Sequence, residues 1–340
     1  MNPRLTVLAA VLVFGGSPYT LSWGQMVEGG TESVDTGLEK YAVEQGPAHQ
    51  WIAYQAYIAL PPGSPLKQEL SSFLPQDDGS RFYREDFGEL CCDNFEPSDW
   101  AWGDWGDNGP GDHGTELIEG AWEEDQPPRF VNHFWNPTLG YASGFIGSSY
   151  SAIQVAQQNF RNAITSYLSG SAQSREEAYY WLGRTAHLLA DMSLPAHTLI
   201  DEHFFSGADS YEDFTAGSYR KDYVYTIPPA VPCTMCFSEM PAADNLSLTD
   251  LFCNLALYSR QYDSDSKPGT QRQGIDRVCP EPDSEDSTPE TWIDCYIPND
   301  ILAEYQDNLQ KAAVEHVAAL YNLFWWETHK TPELISPNNG

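Results

Sequence analysis

The sequence predicts a mostly α-helical protein with a single main domain, and three observations lead to this prediction. Residues 150–169, 175–192 and 300–326 carry apolar side chains at helical spacing. Alternation of apolar and polar residues, the pattern of strands, is scarce, and no internal repeat is visible. Hydrophobic residues make up 41% of the 340 residues and aromatic residues 13%, which is a globular composition in a chain long enough to bury a large core.

The first 22 residues have the pattern of a secretory signal. They carry one charge, followed by an apolar run too short to span a bilayer. The small residues of the segment TLS predict cleavage between Ser22 and Trp23, and cleavage after Gly16 or Ser17 is the alternative. We therefore expect an exported protein, secreted or periplasmic, with a mature domain at 23–340.

Two short helices are predicted in the first half of the mature chain, on either side of a loop-rich segment. The first spans residues 48–60. Its core candidates are Trp51, Ile52, Tyr54, Ala56 and Ile58. Residues 81–114 are rich in Trp, Asp and Gly, a loop composition. The second short helix is expected at 116–124.

The two central helices and the C-terminal helix are expected to build the core. The second central helix is predicted to end at Pro195. Its apolar stripe consists of Ala178, Trp181, Leu182, Thr185, Leu188 and Leu189. A further short helix is predicted at 211–217. The inward-facing residues of the C-terminal helix are predicted to be Leu302, Tyr305, Leu309, Ala313, Val317, Leu320, Leu323 and Phe324.

The stretch 219–298 is long and acidic and contains five of the seven cysteines. In an exported protein, cysteines most often form disulfides, and an odd number leaves at least one over. A single CxxC, Cys233 to Cys236, is weak evidence for zinc and favours disulfide use. We therefore predict an irregular, disulfide-tied insertion on the surface at 219–298.

The charge of the chain limits its function. It has 49 acidic and 17 basic residues, a formal net charge of −32. This charge argues against a role in coating nucleic acid, because the phosphate backbone requires Lys and Arg to displace its counterions. An enzyme that reaches phosphate through a metal ion is compatible with this charge.

The chain's scarce histidines cluster in HLLADMSLPAHTLIDEH. His187 and Asp191 are four residues apart on a predicted helix, so both side chains project from one face, one turn apart. His197 and His203 follow after the break at Pro195. A buried aspartate needs a cation or several hydrogen-bond donors. Imidazoles with carboxylates and no cysteine favour Zn²⁺ in an open, catalytic site.

The pattern His187-x3-Asp191-x3-Pro195-x-His197 resembles the core motif of the zinc-dependent phospholipase C and single-strand nuclease superfamily. Members are secreted, all-helical enzymes with a trinuclear zinc site that cleave phosphoesters. The resemblance covers about residues 45–215 and a C-terminal helix. It implies an all-α, compact multi-helix domain of the phospholipase C/nuclease type, to which the irregular insertion is added.

The resemblance also implies ligands for up to three zinc ions. The first ion would be held by Asp125 and His133 with His187 and Asp191. Asp191 would bridge to a second ion. A solvent molecule bridging these two ions would be the nucleophile. On this assignment Asp125 and Asp191 are the catalytic carboxylates.

The remaining ligands implied by the resemblance belong to the second and third ions. The second would be held by His49 and the α-amino group of Trp23. The third would be held by His197, His203 and a carboxylate, for which Glu212 is the first choice. His203 and Glu212 are nine residues apart, further than is usual in the family. The alternatives for this carboxylate are Asp201, Asp209 and Asp213.

The sequence thus predicts a secreted zinc-dependent phosphodiesterase that acts on phospholipid-type phosphoesters, with peripheral contact to a membrane. The run ADMSLPAH and the acidity favour this branch over the nucleases, although a single-strand nuclease or 3′-nucleotidase of the same fold is the alternative. A metal-stabilised binding protein without catalysis is the third hypothesis.

Overall fold

The protein is all-α in the part that its structure, a computed structural model, describes. The described residues are 48–74, 116–124, 129–140, 143–144, 150–201, 209–216, 224–228, 246–272, 276, 278 and 295–330. The helices are α1 Ala48–Ala59, α2 Pro65–Leu70, α3 Glu116–Glu123, α4 Ala152–Ser169, α5 Ala172–Asp191, α6 Pro195–Leu199, α7 Ser210–Ala216, α8 Leu246–Ser259, α9 Asn299–Tyr305 and α10 Lys311–His329. Within these ranges the only β pairing is an isolated bridge between Val278 and Tyr296.

Helix α5 lies at the centre and packs against α3, α4, α10, α1 and α8. Where α5 crosses α3, the backbones of the two helices are in direct contact. A Cβ atom at Gly120 would lie 2.0 Å from the carbonyl oxygen of Tyr180, and one at Gly183 would lie 2.0 Å from that of Leu117. Glycine at both positions therefore lets the two helices approach closely enough to bring the C-terminal end of α3 beside the histidine-bearing turns of α5.

The boundary between the two central helices is set by capping. Gly170 ends α4 in the left-handed conformation, with φ of 82°. Ser171 then begins α5, because its hydroxyl accepts a hydrogen bond from the backbone N–H of Ser174. The two predicted helices are confirmed, and this cap places the start of α5 three residues before the predicted one.

The proline after α5 begins a helix. Helix α5 ends at Asp191, and Pro195 is the first residue of α6, where its fixed φ and missing N–H carry little cost. Ile200 ends α6 in the left-handed region, with φ of 54°. The short α6 turns the chain back so that His197 is buried against the end of α5.

The prediction of an irregular surface insertion at 219–298 is wrong for residues 246–259. They form helix α8, which packs against α6 and α10. Its fully or almost fully buried side chains include Leu248, Leu251, Phe252 and Leu255. These apolar residues have helical spacing, but the composition of the whole stretch is dominated by the prolines and acidic residues on either side of them. Cys253, on this helix, and Cys295 are each disulfide-bonded.

The predicted C-terminal helix is interrupted by one wider turn. A π-helical turn at Gln306–Gln310 separates α9 from α10. Of the eight residues predicted to face inward, seven are buried and Leu323 is partly buried. In α1 the predicted core residues are buried except Ile58, which is 44% exposed. Within the described residues, no helix is both long and apolar enough to cross a membrane.

Candidate metal centre

Four histidines from four segments of the chain surround one buried carboxylate. Asp191, the last residue of α5, has no exposed side-chain surface. His187 lies one turn earlier on the same helix, and His49 lies near the start of α1. His133 follows a short 3-10 helix at Arg129–Asn132, and His197 lies on α6. None of these five residues is more than 5% exposed.

Each Asp191 oxygen faces two imidazole nitrogens. Oδ1 lies 3.1 Å from Nε2 of His49 and 3.4 Å from Nδ1 of His197. Oδ2 lies 3.1 Å from Nδ1 of His133 and 3.5 Å from Nε2 of His187, and these two nitrogens are 3.4 Å apart. Zinc–nitrogen distances of about 2.0–2.1 Å in a tetrahedron give ligand-to-ligand distances of about 3.3 Å. The observed separations match this value within a few tenths of an ångström.

Backbone carbonyls fix the rings of His187 and His133. Nδ1 of His187 lies 2.6 Å from the carbonyl oxygen of Ala121, and Nε2 of His133 lies 3.3 Å from that of Glu124. A carbonyl oxygen only accepts, so these two nitrogens carry the protons. In the neutral rings the opposite nitrogens then present lone pairs to Asp191 Oδ2, which is the way metal-binding histidines are oriented.

This set of atoms fits a cation. Both Asp191 oxygens are buried, and within the described part of the chain neither accepts a hydrogen bond of good geometry. Burial alone would raise the pKa of the Asp191 carboxyl, but the surrounding imidazoles hold this pKa well below its usual range. One carboxylate can neutralise one imidazolium, whereas four rings face it. A divalent ion can accept lone pairs from the neutral rings and also balance the charge of the carboxylate.

His197 links this cluster to a second carboxylate. Its Nε2 lies 3.0 Å from Oε1 of Glu212 on α7, while its Nδ1 faces Asp191. Burial opposes protonation of this ring, yet the two carboxylates raise the pKa of His197 to about 10. Two of the sequence alternatives to Glu212 have other roles. Asp201 accepts hydrogen bonds from Ser264 and Ser266. Asp209 accepts from the backbone N–H groups of Tyr211 and Glu212 in α7.

The structure thus brings six of the nine predicted ligands together. His49, His187 and Asp191 in particular each offer one ligand atom within 4.8 Å of the others. Trp23, Asp125 and His203 lie outside the described residues, as do the side chain of Asp213 and the whole of His113. His316, on α10, donates instead to the carbonyl of Ala312, as expected for a packing residue.

Two contacts that support the cluster lie outside the residues predicted from the sequence. The carbonyl of Ala121 that orients His187 gives no sequence signal, because its direction depends on how α3 crosses α5. Glu124, which is fully buried, pairs with Arg184 one turn before His187. A signal for this pair does exist, since Arg184 is a charged residue inside the apolar stripe of α5.

Comparisons with known proteins show a distant likeness in fold. No protein-family model and no curated protein matches the chain. Thirteen solved chains match, among them the alpha-toxin of Clostridium perfringens isolated from avian strain SWCP, at 12% identity and a TM-score of 0.42. The match covers 84% of this chain and 65% of the toxin chain, less than two thirds of its length.

Proposed function

We propose that this protein is a secreted, zinc-dependent phosphodiesterase that hydrolyses phospholipid-type phosphoesters. The observation that carries the proposal is the buried carboxylate of Asp191, each oxygen of which faces two imidazole nitrogens. Such a carboxylate suits two metal ions that share it. Closely spaced ions of this kind are typical of enzymes that displace a group at phosphorus.

The residues of the cluster divide the binding of metal between them. His133 and His187 with Asp191 Oδ2 would hold one ion, and His49 with Asp191 Oδ1 would hold a second. His197 and Glu212 would contribute to a third. Imidazole with carboxylate is the ligand set that zinc prefers when it keeps an open position for chemistry. Bound zinc supplies a Lewis acid that polarises a phosphoryl oxygen and activates water.

The protein's own contribution is orientation and exclusion of water. The carbonyls of Ala121 and Glu124 hold two rings in the tautomer that presents a lone pair to the site. Phe134 packs on the ring of His197, with centroids 4.6 Å apart. Burial of the whole cluster lowers the local dielectric, which would strengthen the attraction between a cation held by these residues and a developing negative charge on phosphate.

The proposed substrate class follows from charge as well. With a net charge of −32, the chain repels long polyanions, whereas a zwitterionic phospholipid has no net charge to repel, because its head-group cation balances the phosphodiester. We propose phospholipid as the partner, met by peripheral contact with a membrane outside the cytoplasm. A single-strand nuclease is the competing outcome of the test below.

The test is zinc content and substrate choice in the mature, exported protein. Two to three zinc ions per chain are expected, with hydrolysis of phosphatidylcholine that a chelator abolishes and zinc restores. Faster cleavage of single-stranded DNA than of phospholipid would replace the lipid assignment with the nuclease one. Tight zinc binding with no hydrolysis of either would favour a binding protein.

Variants at the cluster provide the matched control. His187→Ala and His133→Ala should each remove bound zinc and activity, since both are proposed ligands of one ion. His316→Ala removes an imidazole from a partly buried position on α10 and should change neither. Full zinc content in either cluster variant would contradict the ligand assignment.

A further inference from the structure

The ion pair between Glu124 and Arg184 is the feature of the fold that the proposed function leaves unused. Glu124 has no exposed surface and Arg184 is 9% exposed. Nε of Arg184 binds one carboxylate oxygen of Glu124. The guanidinium is also held over the rings of Trp181 and Tyr180, at 4.8 and 5.9 Å from their centroids. Both partners are therefore fixed in place.

Stability does not explain why a charged pair occupies this position. Two buried charges lose most of their hydration, and apolar residues of similar volume often serve equally well or better. Helix α5, which carries Arg184, and helix α3, which ends just before Glu124, already meet with their backbones in contact at Gly120 and Gly183. What an arginine–carboxylate contact adds is direction, because the guanidinium donates along fixed lines.

The direction in which Arg184 holds Glu124 matters because the backbone of Glu124 contacts the histidine cluster. Its carbonyl oxygen is the acceptor for Nε2 of His133. Arg129 in turn donates to the carbonyl of Glu123, which ties the short 3-10 helix before His133 to the end of α3. Arg184 lies three residues before His187, on the same face of α5. The ion pair therefore connects α5, which carries His187, to the residue whose carbonyl orients His133.

We propose that Glu124 and Arg184 are positioning residues for the histidine cluster, which fix the ring of His133 with Nε2 protonated and Nδ1 directed at Asp191. This inference rests on the proposed function only for its consequence, the affinity for metal. Its structural content, the tautomer and orientation of one ring, is present in the metal-free protein.

The test measures the His133 tautomer and the zinc affinity separately. The tautomer is read by long-range ¹H–¹⁵N correlation NMR of the full, metal-depleted protein labelled at histidine. The double variant Glu124→Leu/Arg184→Met removes both charges at similar volume. We expect His133 to change from the Nε2–H tautomer to a mixture, and the zinc affinity, measured by competition with a chromophoric chelator, to fall about 10- to 100-fold.

Two controls separate positioning from packing. Glu327→Leu/Lys330→Met makes the same kind of change at a pair at the C-terminal end of α10, far along the chain from the cluster, and should leave both readouts unchanged. Glu124→Gln keeps an oxygen acceptor for Arg184 and should retain the wild-type tautomer. Should the double variant fail to unfold cooperatively, Arg184→Lys replaces it, since it keeps the charge but lacks the Nε donor.

The outcomes are distinguishable. An unchanged Nε2–H tautomer with unchanged zinc affinity in the double variant, or a wild-type His133 without the Nε2–H tautomer, would overturn the positioning role. A wild-type protein that binds no zinc would instead overturn the proposed function, and the tautomer shift would still decide the role of the pair.

Discussion

The two sides of Asp191 hold their histidines in different ways. On the side of α3 and α5, His133 and His187 are oriented by backbone carbonyls, which carry no charge and cannot titrate. On the side of α6 and α7, His197 lies between two carboxylates, those of Asp191 and Glu212. The first side is preorganised by the packing of helices. The second side is held by electrostatic attraction. The His197 ring must be protonated, or a cation must lie beside it, to balance the two carboxylates.

This difference indicates which half keeps its geometry without metal. Helix packing and carbonyl direction persist when no ion is bound, so the first half should bind an ion with little rearrangement. In the metal-free protein the second half keeps a proton on His197, whose pKa is about 10. An ion that binds there must displace this proton, so the two halves should respond differently to mutation.

The largest expected effect comes from Asp191→Asn, because Asp191 serves both halves. The amide is isosteric but uncharged, and its NH₂ group would oppose any ion on one side. We expect zinc content to fall from two or three ions per chain to less than one, with activity lost by at least about 10³-fold. Elemental analysis of the folded variant checks this, and retention of two ions would show that Asp191 is not shared.

Gly183→Ala should disturb only the side of Asp191 that holds His133 and His187. Its Cβ atom would meet the carbonyl oxygen of Leu117 at 2.0 Å, so α3 and α5 must separate. Overpacking of this kind costs about 1–3 kcal/mol, and the carbonyl of Ala121 would leave its position at His187. We expect lower stability in urea unfolding together with weaker zinc binding.

Gly170→Ala is the control for this variant. Gly170 has positive φ but open space around its Cβ position, so alanine should cost about 1 kcal/mol of stability through the backbone alone. Zinc affinity should not change. Equal losses of affinity in the two glycine variants would mean that general stability, and not the α3–α5 crossing, controls metal binding.

The smallest effect is expected from Glu212→Gln, which changes one of the two carboxylates at His197. The pKa of His197 should fall from about 10, because one of the charges that stabilise the imidazolium is gone. NMR titration of the metal-free protein measures this shift. Glu69→Gln, at a carboxylate that faces Tyr179 and Arg175, is the control. An unshifted His197 would mean that Asp191 alone holds its proton.

Sequence reasoning predicted the local features of this molecule better than those that depend on crossing geometry. His187 and Asp191 could be paired because four residues make about one turn of a helix. His49 and His133 came from resemblance, since nothing local shows that α1 and the segment after α3 meet at the end of α5. The ring orientations were not predictable, because they depend on carbonyls whose direction is set by two glycines far apart in sequence.

Composition hides a short core element that lies between polar segments. The acidic residues, prolines and cysteines that dominate the surroundings of α8 predict a surface insertion there. Helix α2 was similarly missed after a proline–glycine turn, although Ser64 and Pro65 form an ordinary helix start. In both cases the apolar periodicity over a single short segment was outweighed by its neighbours.

The π turn at Gln306–Gln310 affects how the continuous segment from α9 to α10 packs against two other helices. One additional residue in a turn rotates every later side chain by about 100° around the helix axis. Before this turn, Tyr305 faces the ring of Tyr211 on α7, with centroids 5.9 Å apart. After it, the hydroxyl of Tyr321 donates to the carbonyl of Ala53 on α1, at 3.1 Å. Deleting one residue here would turn either Tyr305 away from α7, which carries Glu212, or Tyr321 away from α1, which carries His49. The π turn therefore allows one C-terminal segment to pack against both of these helices.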